Sequence, residues 1–432
     1  MALKKEVFIN FLFAIIPITF ILGNLLLNLN ILLIILFSLY FFRLRIFEEK
    51  FSGIDKLLCG FFLYIFANGL INNYLSGLDS NIILIKSLGY FRFLILYFII
   101  KFYVKENIIN YKYLFFSFGS VCLFVSIDII IQYIFGQDIF GYKSIRSHRV
   151  LSGPFGDEYV AGSFIQRFYI FAMYFILLFT KFKNIQTQNF LIYVSGIIFL
   201  FGTFLAGNRF PLFLFILILA LFFLFEKQIR TKFLIIFTAS FLILSFNLSS
   251  NKNIITHYSS FVDRGIEIKD YVFKRIKSEE YNIPNTYAKE LETGFLVWEN
   301  NKVFGGGIKS FYYNCAKVKS LPLDRIGGTS CNTHPHNYYL HISTELGLVG
   351  LLFSLIIFFS IMLRSLKIIF FSENITHRKT LLPFFLVFLA EIFPFKTSGS
   401  FFTSVNSIVL FFVISFIVGL FEMKKNRKYE IK

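Results

Sequence analysis

The sequence is short of charge, of cysteine pairs and of soluble-enzyme motifs, and each shortage excludes something. Charged residues make up only 16% of the chain and cluster between apolar runs, while 56% of residues are hydrophobic. Mean hydropathy is +0.69. A soluble domain does not have this balance, and a polytopic membrane protein does. No Walker loop, dinucleotide fingerprint, HExxH or GxSxG is present, so none of the chemistries those motifs carry is indicated. The four cysteines show no CxxC spacing, which weighs against zinc. No internal repeat or low-complexity tract is visible. The first apolar run lacks a small-x-small cleavage site and reads as an uncleaved span. A net charge of +18 would suggest nucleic acid in a soluble protein; here topology accounts for most of it, and no nucleic-acid partner is expected. The 64 phenylalanines, with abundant Ile, Asn and Lys, read as A/T-rich codon bias, so a lone Phe or Lys carries little weight.

What the chain does have is apolar runs. They predict about twelve spans, near 6–23, 26–42, 57–75, 82–100, 113–135, 160–180, 188–206, 210–226, 232–249, 339–363, 381–395 and 401–421. Lys and Arg concentrate in one set of alternate loops, from Lys4/Lys5 and Arg43/Arg45 to Arg378/Lys379 and the tail Lys424/Lys425. The opposite short loops, 24–25, 76–81 and 396–400, hold almost none, so the positive-inside rule places both termini in the cytoplasm. The expected fold is an all-α polytopic integral membrane protein with one large external loop between the ninth and tenth spans. Residues 1–249 would form the first nine spans, 250–338 the loop or lid, and 339–432 the last three spans. Loops of this length are usually functional. A second external segment, 136–159, is Gly-rich and basic.

Four constellations are candidates for chemistry. The stretch Thr333–Gly350 is a polar loop with His334, His336 and Asn337 running straight into a span. Were it helical from His336 on, His336, Tyr339, Leu340, Ser343, Gly347 and Gly350 would share one stripe, and the small residues would admit a close neighbouring helix. His336 could act as a general base, with Asn337 orienting it or the substrate; against this stands a histidine that merely neighbours a helix cap. His341 and Glu345 are spaced to pair. Arg209, in the turn Ala206–Pro211, could grip phosphate at a helix N-terminus capped by Asn208, or could snorkel to headgroups. The basic run Lys143, Arg146, His148, Arg149 before Gly153-Pro154 would suit a diphosphate, or anionic lipid. Lys86, Arg92, Asp128 and Glu391 fall in or near spans, where charge is expensive and marks a polar cavity or ion pairs; Lys86 and Arg92 could also be snorkelling ends. In the lid, Cys315 and Cys331 are disulfide candidates, the alternative being zinc with His334 and His336.

These residues resemble the O-antigen ligase and O-antigen polymerase superfamily of bacterial envelope glycosyltransferases. His336-Asn337, nine residues, then Gly347-x-x-Gly350 is similar to its HN-x9-GxxG signature. Phe295–Phe311, containing Gly305-Gly306-Gly307, is similar to its run ending in GxG before an aromatic. Gly207-Asn208-Arg209 and Arg149…Gly153-Pro154-Phe155-Gly156 resemble its Arg turn and basic Gly-rich loop. Asn208 stands where the family often has Ser or Thr, and Lys302 where it usually has Pro. One lid arginine of the family has two candidates here, Arg264 and Arg275. The resemblance implies an inner-membrane enzyme with its site on the periplasmic face. It would transfer a glycan from an undecaprenyl-diphosphate donor, with inversion and without metal or cofactor. The acceptor would be lipid A–core (ligase) or a second lipid-linked repeat (polymerase). It also implies His336, Arg209 and Arg149 as catalytic residues. Arg146, Asn337, His334, Arg264 or Arg275, Lys86 and Arg92 would contact substrate, with lid aromatics stacking on sugars. A transporter or flippase is the reading of another class, disfavoured by the missing repeats and the surplus lid; a non-catalytic scaffold is a third.

Overall fold

A computed structural model describes residues 2–48, 50–75, 81–143, 150–180, 184–226, 229–230, 252–277, 285–315, 331–396 and 399–423, with single positions at 238, 242, 279, 283 and 317. Among these residues there is no strand, only one isolated antiparallel bridge between Gln137 and Lys143. The helices are α1 (Ala2–Ala14), α2 (Ile16–Ile21), α3 (Asn24–Phe42), α4 (Gly53–Leu75), α5 (Ile82–Tyr90), α6 (Arg92–Lys105), α7 (Tyr111–Phe135), α8 (Ala161–Phe179), α9 (Ile185–Leu205) and α10 (Arg209–Phe225). After them come α11 (Lys252–Ile276), α12 (Thr286–Asn300), α13 (Ser310–Asn314), α14 (Tyr338–Phe371), α15 (Ile375–Glu391) and α16 (Ser404–Glu422).

Among the described residues, eight helices are long and apolar enough to cross a membrane, counting α5–α6 as one. Three more expected runs form shorter helices. The first breaks into α1 and α2, with Pro17 in the first turn of α2, where its missing N–H costs nothing. The others are α10 and α15, each 17 residues long. The expected run 232–249 lies outside the described residues except at Thr238 and Leu242. The run 82–100 is also broken, with Phe91 between α5 and α6.

Small residues and aromatic rings hold the bundle together. With lipid outside, helices associate through van der Waals contact rather than water exclusion, so close approach matters most. A Cβ on Gly119 of α7 would lie 2.8 Å from Ala172 Cα of α8, and one on Gly202 of α9 would lie 2.8 Å from Ser126 Cβ of α7. Elsewhere rings fill the space: Phe384 of α15 stacks on Phe416 of α16 with centroids 4.4 Å apart.

The segment expected as the lid carries α11, α12 and α13. Tyr258 of α11 stacks on Phe204 at the end of α9, centroids 4.8 Å apart, and donates to the Phe204 carbonyl at 2.7 Å. Between α11 and α12, Arg275 donates to Glu292 at 2.6 Å and to Glu299 at 3.2 Å, and Tyr271 also donates to Glu292.

The lid joins the bundle at an interruption in α14. Gly347 adopts φ 64°, ψ −167°, which breaks the helical hydrogen-bond ladder there. The segment 302–307 takes up the released groups. Leu348 N–H donates to the Lys302 carbonyl at 2.9 Å and Val349 N–H to Val303 at 3.2 Å. Gly306 and Gly307 N–H donate to the Thr344 and Glu345 carbonyls at 3.2 and 2.7 Å. The expected stripe of small residues is therefore corrected: lid backbone, not another membrane helix, makes the close approach at Gly347. An unbroken α14 would be about 50 Å long at 1.5 Å per residue, well beyond a hydrocarbon core of about 30 Å. Leu348–Phe371 alone is long enough to cross, which leaves Tyr338–Leu346 to carry the site.

Candidate active site

The lid and the ends of the bundle enclose a cavity of about 1840 Å³. That exceeds the roughly 300–1,000 Å³ of a small-molecule pocket. Its charge is mostly of one sign. Lys86, Arg92 and Arg167 line it from the bundle, and Arg209, Arg264, Lys269 and Lys309 from the turn and lid, against the carboxylates Glu158 and Glu345. Such walls favour an anionic ligand.

His336 lines this cavity, from just outside α14. The helix begins at Tyr338, not at His336: Asn337 is its N-cap, accepting from Leu340 N–H at 3.0 Å. The amide of Asn337 also donates to the Pro394 carbonyl at 2.9 Å, so this residue fixes the loop. His336 has φ 52°, a conformation that costs a non-glycine residue about 1–3 kcal/mol and that clusters at functional sites. Asn332 Nδ2 donates to His336 Nε2 at 2.9 Å. His334 packs its ring on His336, centroids 4.3 Å apart, but does not itself line the cavity. Burial, then the neighbouring His336, His341 and Lys309, push His334 down to about 3, so it stays uncharged near neutrality. The anticipated pair of His341 and Glu345 forms, Nε2 to Oε1 at 3.1 Å, and both residues are buried against the cavity.

Arg209 enters from the start of α10. Asn208 occupies the cap position but its side chain does not cap the helix. It instead accepts from Gly162 N–H and donates to the Tyr159 carbonyl, each at 3.0 Å, and so ties the arginine turn to the start of α8. Pro211 sits in the first turn, as expected. Arg209 Nη2 donates to His257 Nδ1 at 2.9 Å, and His257 Nε2 lies 2.8 Å from the Gly207 carbonyl. A neutral ring protonated on Nε2 makes both of these bonds; it cannot also accept from Arg209 Nε, which lies 3.3 Å from the same Nε2. His257, on lid helix α11, was not singled out from the sequence because nothing near it in the chain forms a motif.

The two lid arginines part company. Arg264 lines the cavity, 5.8 Å above the Tyr287 ring. Arg275 does not line it; Glu292 and Glu299 hold it, and those partners keep its guanidinium well above its ordinary range despite burial. Of the lid aromatics read as sugar platforms, Tyr287 lines the cavity. Trp298 instead donates to the Lys302 carbonyl at 3.1 Å, and Tyr281 lies outside the described residues.

Lys86 and Arg92 flank the α5–α6 break and both line the cavity, with Arg92 donating to Ser404 at 2.8 Å. Asp128 does not line it and accepts from Ile139 N–H at 2.8 Å. Glu391 is buried between Arg167 and Lys396, at 2.7 and 2.6 Å, and Arg167 also donates to Asn406 at 2.6 Å. Neither cation was legible: Arg167 sits inside an apolar run and its carboxylate lies far along the chain. Arg146, His148 and Arg149 lie outside the described residues. Cys315 and Cys331 form a disulfide, Cα atoms 5.4 Å apart, which favours that reading over shared zinc.

Residues 194–355 match the model of a family described as O-antigen ligase, a segment that includes Arg209, the lid and the histidine loop. The match supports the resemblance to the O-antigen ligase and polymerase superfamily carried by the motifs. No curated protein matches the chain.

Proposed function

We propose, from its place in the O-antigen ligase and polymerase superfamily, that this chain transfers a glycan from an undecaprenyl-diphosphate donor to lipid A–core. The reaction runs at the periplasmic face of the bacterial inner membrane, in a bundle of about twelve spans with both termini in the cytoplasm. One observation carries the reading. His336 and Arg209, 127 positions apart in the sequence, line a single cation-walled cavity bordered by the lid.

The chemistry follows from that arrangement. Arg209, oriented by His257, and Arg264 grip the diphosphate, with Arg149 from the basic loop as a further clamp. Fixed cations stabilise the charge that develops on the leaving group. His336 takes the proton of the attacking acceptor hydroxyl. The new glycosidic bond forms as the anomeric C–O bond to diphosphate breaks, which inverts that carbon and releases undecaprenyl diphosphate. Lys86 and Arg92 line the same cavity from α5 and α6 and bind further anionic groups. Asn337 and His334 shape the histidine loop, and Asn337 also lines the cavity where substrate would bind.

The glycan profile of a deletion strain tests the class of reaction. Lipid A–core without polymer, with polymer accumulating on its carrier, is the expected result. A single attached repeat would make the chain a polymerase on the same chemistry. Glycan trapped on the cytoplasmic face would make it a flippase and end the proposal.

A further inference from the structure

The histidine motif brings no acidic partner for His336, since its carboxylate Glu345 pairs with His341, and the lid brings one. Helix α12 passes the histidine loop at Gly294, where an added Cβ would lie 2.5 Å from Leu340 Cδ2 and 2.8 Å from Pro335 Cβ. Glycine is what permits that approach. Glu290 stands one turn earlier on the same face, and the approach carries its Oε1 to 3.6 Å from His336 Nε2. Asn332 bridges the two: its amide nitrogen lies 3.2 Å from Glu290 Oε1 and 2.9 Å from His336 Nε2. The other carboxylate oxygen of Glu290 is buried and has no hydrogen-bond partner among the described residues.

We propose that Glu290 is the positioning carboxylate of His336, and that the base is competent only while lid helix α12 is docked. The inference rests on His336 being the base. In the resting site Nε2 accepts from Asn332. The acceptor hydroxyl displaces that contact and passes its proton to Nε2, and the new N–H lies beside Glu290. A carboxylate within about 4–6 Å favours the charged imidazole, and Asn332 keeps its bond to the same carboxylate. The other titratable neighbours do not supply this charge. His334 packs on the ring from the same loop, His341 of α14 lies beyond His334, those two ring centroids 6.0 Å apart, and Lys309 before α13 carries the opposite sign. Arg209 and Arg264, which line the same cavity, are also cationic.

The test uses purified full-length protein and membranes from a source strain lacking the gene, which supply donor and acceptor. Transfer is followed as kcat and donor KM. Glu290→Gln keeps the shape and removes the charge. It should lower kcat by about 10- to 100-fold, a part of the roughly 10²–10⁴ that a positioned base contributes, and leave donor KM unchanged. Glu290→Asp should recover part of the lost kcat. His336→Ala runs alongside. If it is inactive while Glu290→Gln matches wild type in kcat, this inference is overturned and the base reading stands. If His336→Ala is fully active, the base reading falls and takes this inference with it.

Discussion

Gly305 and Gly347 meet backbone to backbone. A Cβ on Gly305 would lie 2.4 Å from Gly347 N, and one on Gly347 would lie 2.2 Å from the Val303 carbonyl oxygen. Both have positive φ, 73° and 64°. The glycines of two separate motifs are thus the two sides of one seam, which holds the lid against the segment carrying His341 and Glu345. Gly347→Ala should cost about 1–3 kcal/mol in backbone strain alone, more with the clash, and should uncouple the lid. Glycan transfer should be lost and the 302–307 amides should exchange faster with solvent. Wild-type exchange and transfer in this variant would contradict the seam.

Arg264 and Arg275 should separate binding from stability. Arg264→Ala should abolish or strongly reduce transfer with little change in thermal unfolding of the detergent-solubilised protein. Arg275→Ala leaves Glu292 buried without its cation, a change that costs about 3–5 kcal/mol in buried pairs. Tyr271 still donates to Glu292, which places the effect toward the lower end. Equal stability losses in the two variants would contradict the assignment.

His334 predicts acid sensitivity of the histidine loop. Its folded-state value of about 3 lies below the ordinary 6.5. Between those values the undocked loop binds more protons than the docked one, so docking weakens as pH falls and is unaffected above the ordinary range. Protection from hydrogen exchange over 331–346, taken relative to the intrinsic exchange rate at each pH, should fall on acidification in wild type and much less in His334→Phe. The same acid response in both would show that another group is responsible.

The buried cluster around Glu391 should behave as a unit. Glu391→Leu strands Arg167 and Lys396 without their shared carboxylate and should destabilise the bundle by about 3–5 kcal/mol. The double variant Glu391→Leu, Arg167→Leu should recover part of that loss in unfolding experiments, because it removes one stranded charge. No recovery would mean that Arg167 is stabilised by other contacts.

Much of the fold was legible because a membrane span is a simple signal. Eleven of the expected apolar runs coincide with helices, and Lys and Arg punctuate them. The breaks at Ile15, Phe91 and Gly347 were not legible, since an apolar run reads the same whether or not its hydrogen-bond ladder is continuous. In the site, His336 and Arg209 were found through local spacing. His257, Glu290 and Arg167 were missed because each owes its role to a partner distant in the chain, and a lone charge carries no such information; Lys396 lies only five residues from Glu391 but beyond the end of α15, where helical spacing does not signal the pair. The two lid arginines looked alike in sequence; only Glu292 and Glu299, brought together by helix packing, tell them apart.

The central claim is that His336 accepts the acceptor's proton in a cavity whose cations hold the donor diphosphate. The most direct measurement is the glycan attached to lipid A–core in a deletion strain complemented with His336→Ala at wild-type membrane levels. The account predicts no attached polymer, with carrier-linked glycan accumulating. Polymer attached at the wild-type level would contradict it.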